Sequence, residues 1–174
     1  MIRFIEISEI PESGYKINKQ ISASALGMDD ELEFPKPIVV SIDIEKVKCE
    51  AVTKGLIEFS IKQTCSLCLE NFISTISSPF EIEFKSAPAE VFEEEKELEK
   101  EELDTVFIKG SEIDLFEIIR EQIFLSLPMK PVCKPECPGL CPRCGTNLNL
   151  DKCNCNVESI DPRFAVFKKL KVKT

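Results

Sequence analysis

Residues 37–64, PIVVSIDIEKVKCEAVTKGLIEFSIKQT, decide the fold class. Apolar and β-branched side chains alternate with polar ones, Gly55 is the one glycine, and Pro37 opens the run. A period of two sends one set of side chains to a buried face and the other to water, the pattern of an antiparallel strand. Residues 72–86, FISTISSPFEIEFKS, continue it. Strands near 38–44, 46–53, 55–64 and 72–86 are expected, making an antiparallel sheet or small barrel. Pro79 should mark an edge or a bulge, because proline cannot donate to a ladder. Cys49, alone in VKCEAV, reads as a core strand residue.

Outward from this run, residues 2–8 and 105–109 read as further short strands. Residues 90–104 carry nine acidic side chains and two lysines, a composition that stays solvated as part of a linker over about 88–104. A helix is expected from about Asp114 to Leu127. Asp114 and Glu117 have capping-box spacing, residues 115, 118, 119 and 123 share an apolar face, and Pro128 stops it. Residues 1–129 therefore read as a β-rich body with one packed helix. Residues 130–174 read as a Cys-rich segment followed by a short basic helix, with Asp161 as its N-cap and Pro162 at its first position. The class is α+β.

Composition narrows the chemistry. The 174 residues include no histidine, which removes Ser-His-Asp and Cys-His catalysis and Cys2His2 fingers. No glycine-rich phosphate cradle is present, and no small-molecule substrate is expected. Arg3 and Glu6 interrupt any signal-peptide core, and no apolar run approaches the roughly 18 residues of a membrane span. The expectation is a cytoplasmic protein with no membrane partner, where nine cysteines point to metal or thiol chemistry rather than disulfides. The net charge of −9 is uneven: residues 1–129 hold 13 basic and 27 acidic side chains, residues 130–174 hold 9 and 4.

Six of the cysteines fall within 23 residues, CKPECPGLCPRCGTNLNLDKCNC, from Cys133 to Cys155. Cys141-Pro-Arg-Cys144-Gly has the form of a metal knuckle, since two thiolates two residues apart can share one tetrahedral ion and the glycine permits the tight turn. Cys153 and Cys155 offer a second pair after the loop GTNLNLDK. Cys133 and Cys137 supply two more. The favoured set is Cys141, Cys144, Cys153 and Cys155; Cys133, Cys137, Cys141 and Cys144 are a close alternative, and a binuclear cluster a third. An all-Cys site has no open position for water, so the ion, expected to be zinc, would be structural. Cys65-Ser-Leu-Cys68 sits between two strand-like runs. It could be a turn with half-buried thiols, a second knuckle using spare ligands from the tail, or a redox pair. The β-like LENFISTIS after it does not suit a redox helix.

These residues resemble the YceD family, the large ribosomal RNA subunit accumulation proteins. The likeness lies in CSLCLENF, IDLFEIIREQIFLSLPMKPVC, CPGLCPRCGTNLN, CNC and DPRFAVFKKL, in that order over about residues 49–171. It implies a non-enzymatic factor for 23S rRNA accumulation and large-subunit assembly. Its partner would be a large-subunit ribosomal precursor, met through 23S rRNA, a basic ribosomal protein, or both. Phosphate contacts would come from Arg143, Lys152, Arg163, Lys168, Lys169, Lys171 and Lys173. Other readings are a thiol redox enzyme using Cys65 and Cys68, and an acidic adaptor that binds a basic ribosomal protein.

Overall fold

The computed structural model describes residues 3–29, 32–47, 50–86, 105–108 and 112–155. The chain groups into two compact units. One holds the residues up to Gln63 together with Phe72–Met129; the other holds Thr64–Asn71 and the chain from Lys130 onward.

In the first unit, β1 (Phe4–Glu6) leads through a 3-10 turn (Ile7–Glu9) to β2 (Tyr15–Ile21) and a second 3-10 turn (Ala23–Leu26). Then come β3 (Ile38–Val47), β4 (Glu50–Thr64), β5 (Asn71–Ser86), β6 (Thr105–Ile108), β7 (Glu112–Asp114) and α1 (Leu115–Ser126). The main sheet has the order β2-β3-β4-β5-β6, and β1 and β7 pair separately. The β2–β3 and β3–β4 pairs are antiparallel, whereas β6 runs parallel to β5 from Glu83↔Thr105 to Ser86↔Ile108. Pro79 precedes that paired stretch, where its missing N–H costs β6 no ladder bond.

Three expectations change. The strand over 2–8 is confined to Phe4–Glu6, because Ile7 begins a 3-10 turn. The strand expected at 46–53 is divided: Lys46 and Val47 end β3, and Glu50–Thr53 join 55–64 in one strand, β4, paired with β3 from Val39↔Glu58 to Val47↔Glu50. Gly55 lies inside it because the Phe80 ring covers the bare backbone: a Cβ there would run into Phe80 Cζ and stand 3.0 Å from the Ser41 carbonyl. Strand β2 was not expected at all. Lys19 occupies an inward position of the alternation, leaving only Ile17 and Ile21 buried, a spacing that carries no period-two signal. Cys49, the acidic stretch 90–104 and the helix from Asp161 lie outside the described residues.

The core joins the inward side chains of β3 to one face of α1. Ile38, Val40, Ile42 and Ile44 are at most 2% exposed, as are Ile119 and Ile123, with Leu115 and Ile118 beside them. All belong to one apolar cluster. Each such side chain contributes about 2 kcal/mol of burial. The helix starts where it does because Asp114 Oδ1 accepts from the N–H groups of Phe116 (2.9 Å) and Glu117 (3.4 Å). Arg3 Nη2 adds a 2.9 Å ion pair. Burial alone would raise the Asp114 pKa, but Arg3 and these N–H groups outweigh it and hold it below the usual range.

Thr53 is fully buried opposite Ile44, and its Oγ1 has no hydrogen-bond partner. An unmet buried hydroxyl is a cost that an isosteric methyl removes. Thr53→Val should therefore stabilise the protein by about 1 kcal/mol, read as a shift of the urea midpoint at unchanged slope.

Candidate metal centres

The second unit begins at the tip of the β4–β5 hairpin. Cys65 N–H donates to the Glu70 carbonyl (2.9 Å) and Leu69 N–H to the Cys65 carbonyl (3.0 Å), closing residues 65–70 into a knuckle. The tail docks on it through Ser66 N–H to the Pro131 carbonyl (2.8 Å) and Leu140 N–H to the Leu67 carbonyl (3.0 Å). Gly139 makes this approach possible: its φ is +73°, and a Cβ would stand 2.9 Å from the Leu67 carbonyl oxygen. Only glycine accepts both conditions.

Two sulfur quartets result, Cys65/Cys68/Cys133/Cys137 and Cys141/Cys144/Cys153/Cys155, with the four sulfurs of each within 4.8 Å of one another. In the first, the inner quartet, Cys65 Sγ lies 3.9 Å from Cys137 Sγ, and Cys68 Sγ 3.8 Å from Cys133 Sγ. These separations are far beyond the roughly 2.05 Å of a disulfide. They match the edge of a tetrahedron of sulfurs around zinc, about 3.8 Å for a metal–sulfur bond of about 2.3 Å. Cys65, Cys68 and Cys137 are buried and Cys133 half-buried. The second, outer quartet is more open: Cys141 is buried, Cys153 and Cys155 half-buried, and Cys144 exposed. Each quartet has the donors and spacing to hold one metal ion.

The two knuckles repeat one geometry. Cys141 N–H donates to the Thr146 carbonyl (2.8 Å) and Gly145 N–H to the Cys141 carbonyl (2.9 Å), as Cys65 and Leu69 do at the hairpin tip. In both, the residue after the second cysteine is left-handed: Gly145 at φ 74° and Leu69 at 62°. Glycine adopts that backbone freely, whereas a side chain there costs roughly 1–2 kcal/mol. Leu69 is 64% exposed and recovers little by burial. Leu69→Gly should thus raise stability by about 1 kcal/mol, visible as slower proteolysis of the protein.

Backbone N–H groups aimed at sulfur set the thiol acidities. Burial would raise Cys65, but the N–H groups of Cys68, Cys133 and Leu67 outweigh it and bring it down to about 6. Thr146 holds Cys144 at about 6. The Asn149 amide lowers Cys137, and the N–H groups of Cys144 and Arg143 lower Cys141. Their partners move the other way. Burial and the neighbouring sulfurs push Cys133 up to about 12, and Cys144 with burial does the same to Cys155. The Glu70 N–H favours the Cys68 thiolate, but burial and Cys65 prevail and raise it. The Cys155 N–H likewise favours the Cys153 thiolate, and Cys141 and burial override it. Four sulfurs this close cannot all ionise without a cation between them.

The structure brings the set Cys141, Cys144, Cys153 and Cys155 together. It separates the alternative, placing Cys133 and Cys137 with Cys65 and Cys68 instead of with Cys141 and Cys144. The Cys65–Cys68 pair is a knuckle between two strands, and no helix follows it. Arg143 and Lys152 are exposed on the outer quartet's turns; Arg163, Lys168, Lys169, Lys171 and Lys173 lie outside the described residues. Asn147 and Asn149, which bind the quartets' surroundings, were read only as loop formers. No helix among the described residues is long and apolar enough to cross a membrane.

Comparison with known proteins gives a consistent assignment. The family described as "Large ribosomal RNA subunit accumulation protein YceD" matches residues 53–171. The chain is 27% identical over 168 residues to an Arabidopsis thaliana chloroplastic protein named "Large ribosomal RNA subunit accumulation protein YCED homolog 1", covering 82% of this chain and 52% of that one. A Zea mays protein of the same name is 28% identical over 158 residues, 76% of this chain and 54% of the relative. An uncharacterized Mycobacterium tuberculosis protein is 49% identical over 53 residues, 30% of this chain and 25% of its own. The chain thus spans about half the length of the plant relatives. No solved structure matches it. With two knuckles in place and more than half the chain matched, this protein belongs to the YceD family of large ribosomal RNA subunit accumulation proteins.

Proposed function

We propose that this protein is a cytoplasmic, non-catalytic factor for large-subunit assembly and 23S rRNA accumulation, its second unit folded around two structural zinc ions. The observation that carries the reading is the pair of closed sulfur quartets. Each brings four cysteine sulfurs within 4.8 Å of one another, with pairs 3.8 and 3.9 Å apart in the inner one, and four thiolate ligands leave a bound ion no open position for water or substrate. The family's ribosomal description supplies the setting. A thiol-redox role fits less well, because Cys65 is fully buried and reactive thiols are partly exposed.

Metal loading also bears on the partner. Residues 64–71 and 130–174 together hold nine basic and five acidic side chains, a balance of +4. Eight thiolates around two divalent ions contribute a further −4, so the loaded unit is close to neutral. The first unit keeps its acidic excess. This balance weakens a broad phosphate-binding role and favours contact with the ribosomal precursor through a basic ribosomal protein.

Sucrose gradients of cells depleted of the protein test the role, with a tagged copy located across the same gradient. The expected result is fewer free large subunits and the tagged copy on a large-subunit precursor. A normal profile with the copy at the top of the gradient overturns it.

A further inference from the structure

We propose that Asn149 is a positioning residue for the inner quartet, so that filling the outer centre tightens metal binding at the inner one. The inference rests on zinc occupying both quartets. The loop from Gly145 to Lys152 joins two ligands of the outer quartet, Cys144 and Cys153, yet its Asn147 and Asn149 side chains reach the inner one. Asn149 Nδ2 donates to Cys137 Sγ (3.3 Å) and to Asn147 Oδ1 (3.1 Å). Asn147 Oδ1 also accepts the Asn149 backbone N–H (3.0 Å), and Asn147 Nδ2 donates to Glu70 Oε1 (3.3 Å), within the inner knuckle. Leu148 N–H donates to the Gly139 carbonyl between the two sites (2.9 Å). Asn149 Oδ1 is buried without a partner. The amide is therefore held by its nitrogen alone, and its site tolerates an unmet acceptor in order to aim an N–H at sulfur.

A metal in the outer quartet closes this loop and removes its freedom before Asn149 must be ordered. The donor to Cys137 is then already in place, and by linkage each centre tightens the other. Hydrogen bonds to ligand atoms of this kind alter metal affinity about 10- to 100-fold.

The test uses the full zinc-loaded chain under a competing chelator, with alkylation of each cysteine followed by peptide mass spectrometry. Asn149→Leu, which keeps the volume and removes the donor, should speed alkylation of Cys133 and Cys137 about 10- to 100-fold. Disabling the outer quartet with Cys153→Ser and Cys155→Ser should do the same, and combining the changes should add nothing further. In the cobalt(II) form, Asn149→Leu should shift the thiolate-to-metal charge-transfer band only while the outer quartet is intact. Unchanged inner alkylation, or fully additive effects, overturns the coupling. If Asn149→Leu does not fold, the outer-quartet variant alone decides. Native mass spectrometry separates the two levels: two metals without coupling sinks this inference alone, and no metal in either quartet sinks the zinc reading with it.

Discussion

Cys137→Ser should remove the inner metal and unfold the second unit while the first unit's sheet survives. Among the described residues of the second unit, every buried apolar side chain is a cysteine: Cys65, Cys68, Cys137 and Cys141. The apolar cluster of the first unit includes none of its residues. The described residues of this unit offer no hydrophobic core to fall back on, and on the proposed reading metal–sulfur bonds would take that place. Binding of structural zinc is worth about 10–16 kcal/mol in small all-protein sites, more than a packing defect of any size would cost. Limited proteolysis should cut the variant between Lys130 and Cys155 at once, and native mass spectrometry should find at least one metal fewer. Circular dichroism should still show the β-rich first unit. A variant that keeps both metals, or resists protease like the parent, would sink the idea that metal is the core.

What could be read beforehand follows the range of each signal. Helix α1 was legible because its cap, its apolar face and its stop all lie within 15 residues of sequence, Asp114 to Pro128. Strands β3 and β5 were legible from period two. β2 was not, because Lys19 breaks the pattern and its pairing with β3 is set by partners more than 15 residues away, as in Ile21↔Ile38. The outer quartet was legible because its ligands are local. The inner one joins Cys65 and Cys68 to Cys133 and Cys137, 65 to 72 residues apart in sequence. Spacing offered Cys65 and Cys68 as a second knuckle with spare tail ligands, one of three readings, but motifs that count residues along the chain could not say which tail cysteines close it. The matching backbone of the two knuckles was hidden as well, since Leu69 stands where the outer knuckle has Gly145.

Metal affinity should fall steeply with acid, because each ion must displace protons from the raised thiols. At neutral pH Cys68 and Cys133 of the inner quartet, and Cys153 and Cys155 of the outer one, hold their protons before metal enters, both in the fold, where all four lie above the ordinary thiol value, and in an unfolded unit, where ordinary thiols are protonated too. Binding one ion therefore releases at least two protons, and mass action lowers affinity at least ~100-fold per pH unit on acidification. Where the knuckles stay folded without metal, Cys65 and Cys144 take up protons too below about 6, and the slope steepens to ~1,000-fold per unit. The sign is fixed: groups that hold protons in the free state oppose the metal as pH falls and cease to oppose it as pH rises through their own pKa. Isothermal titration with zinc in buffers of different ionisation enthalpy counts the protons directly. Two or more per ion near pH 7, rising at lower pH, is the expected result. A count near zero would mean the sulfurs are already ionised without metal, and the quartets would then need another cation to hold them together.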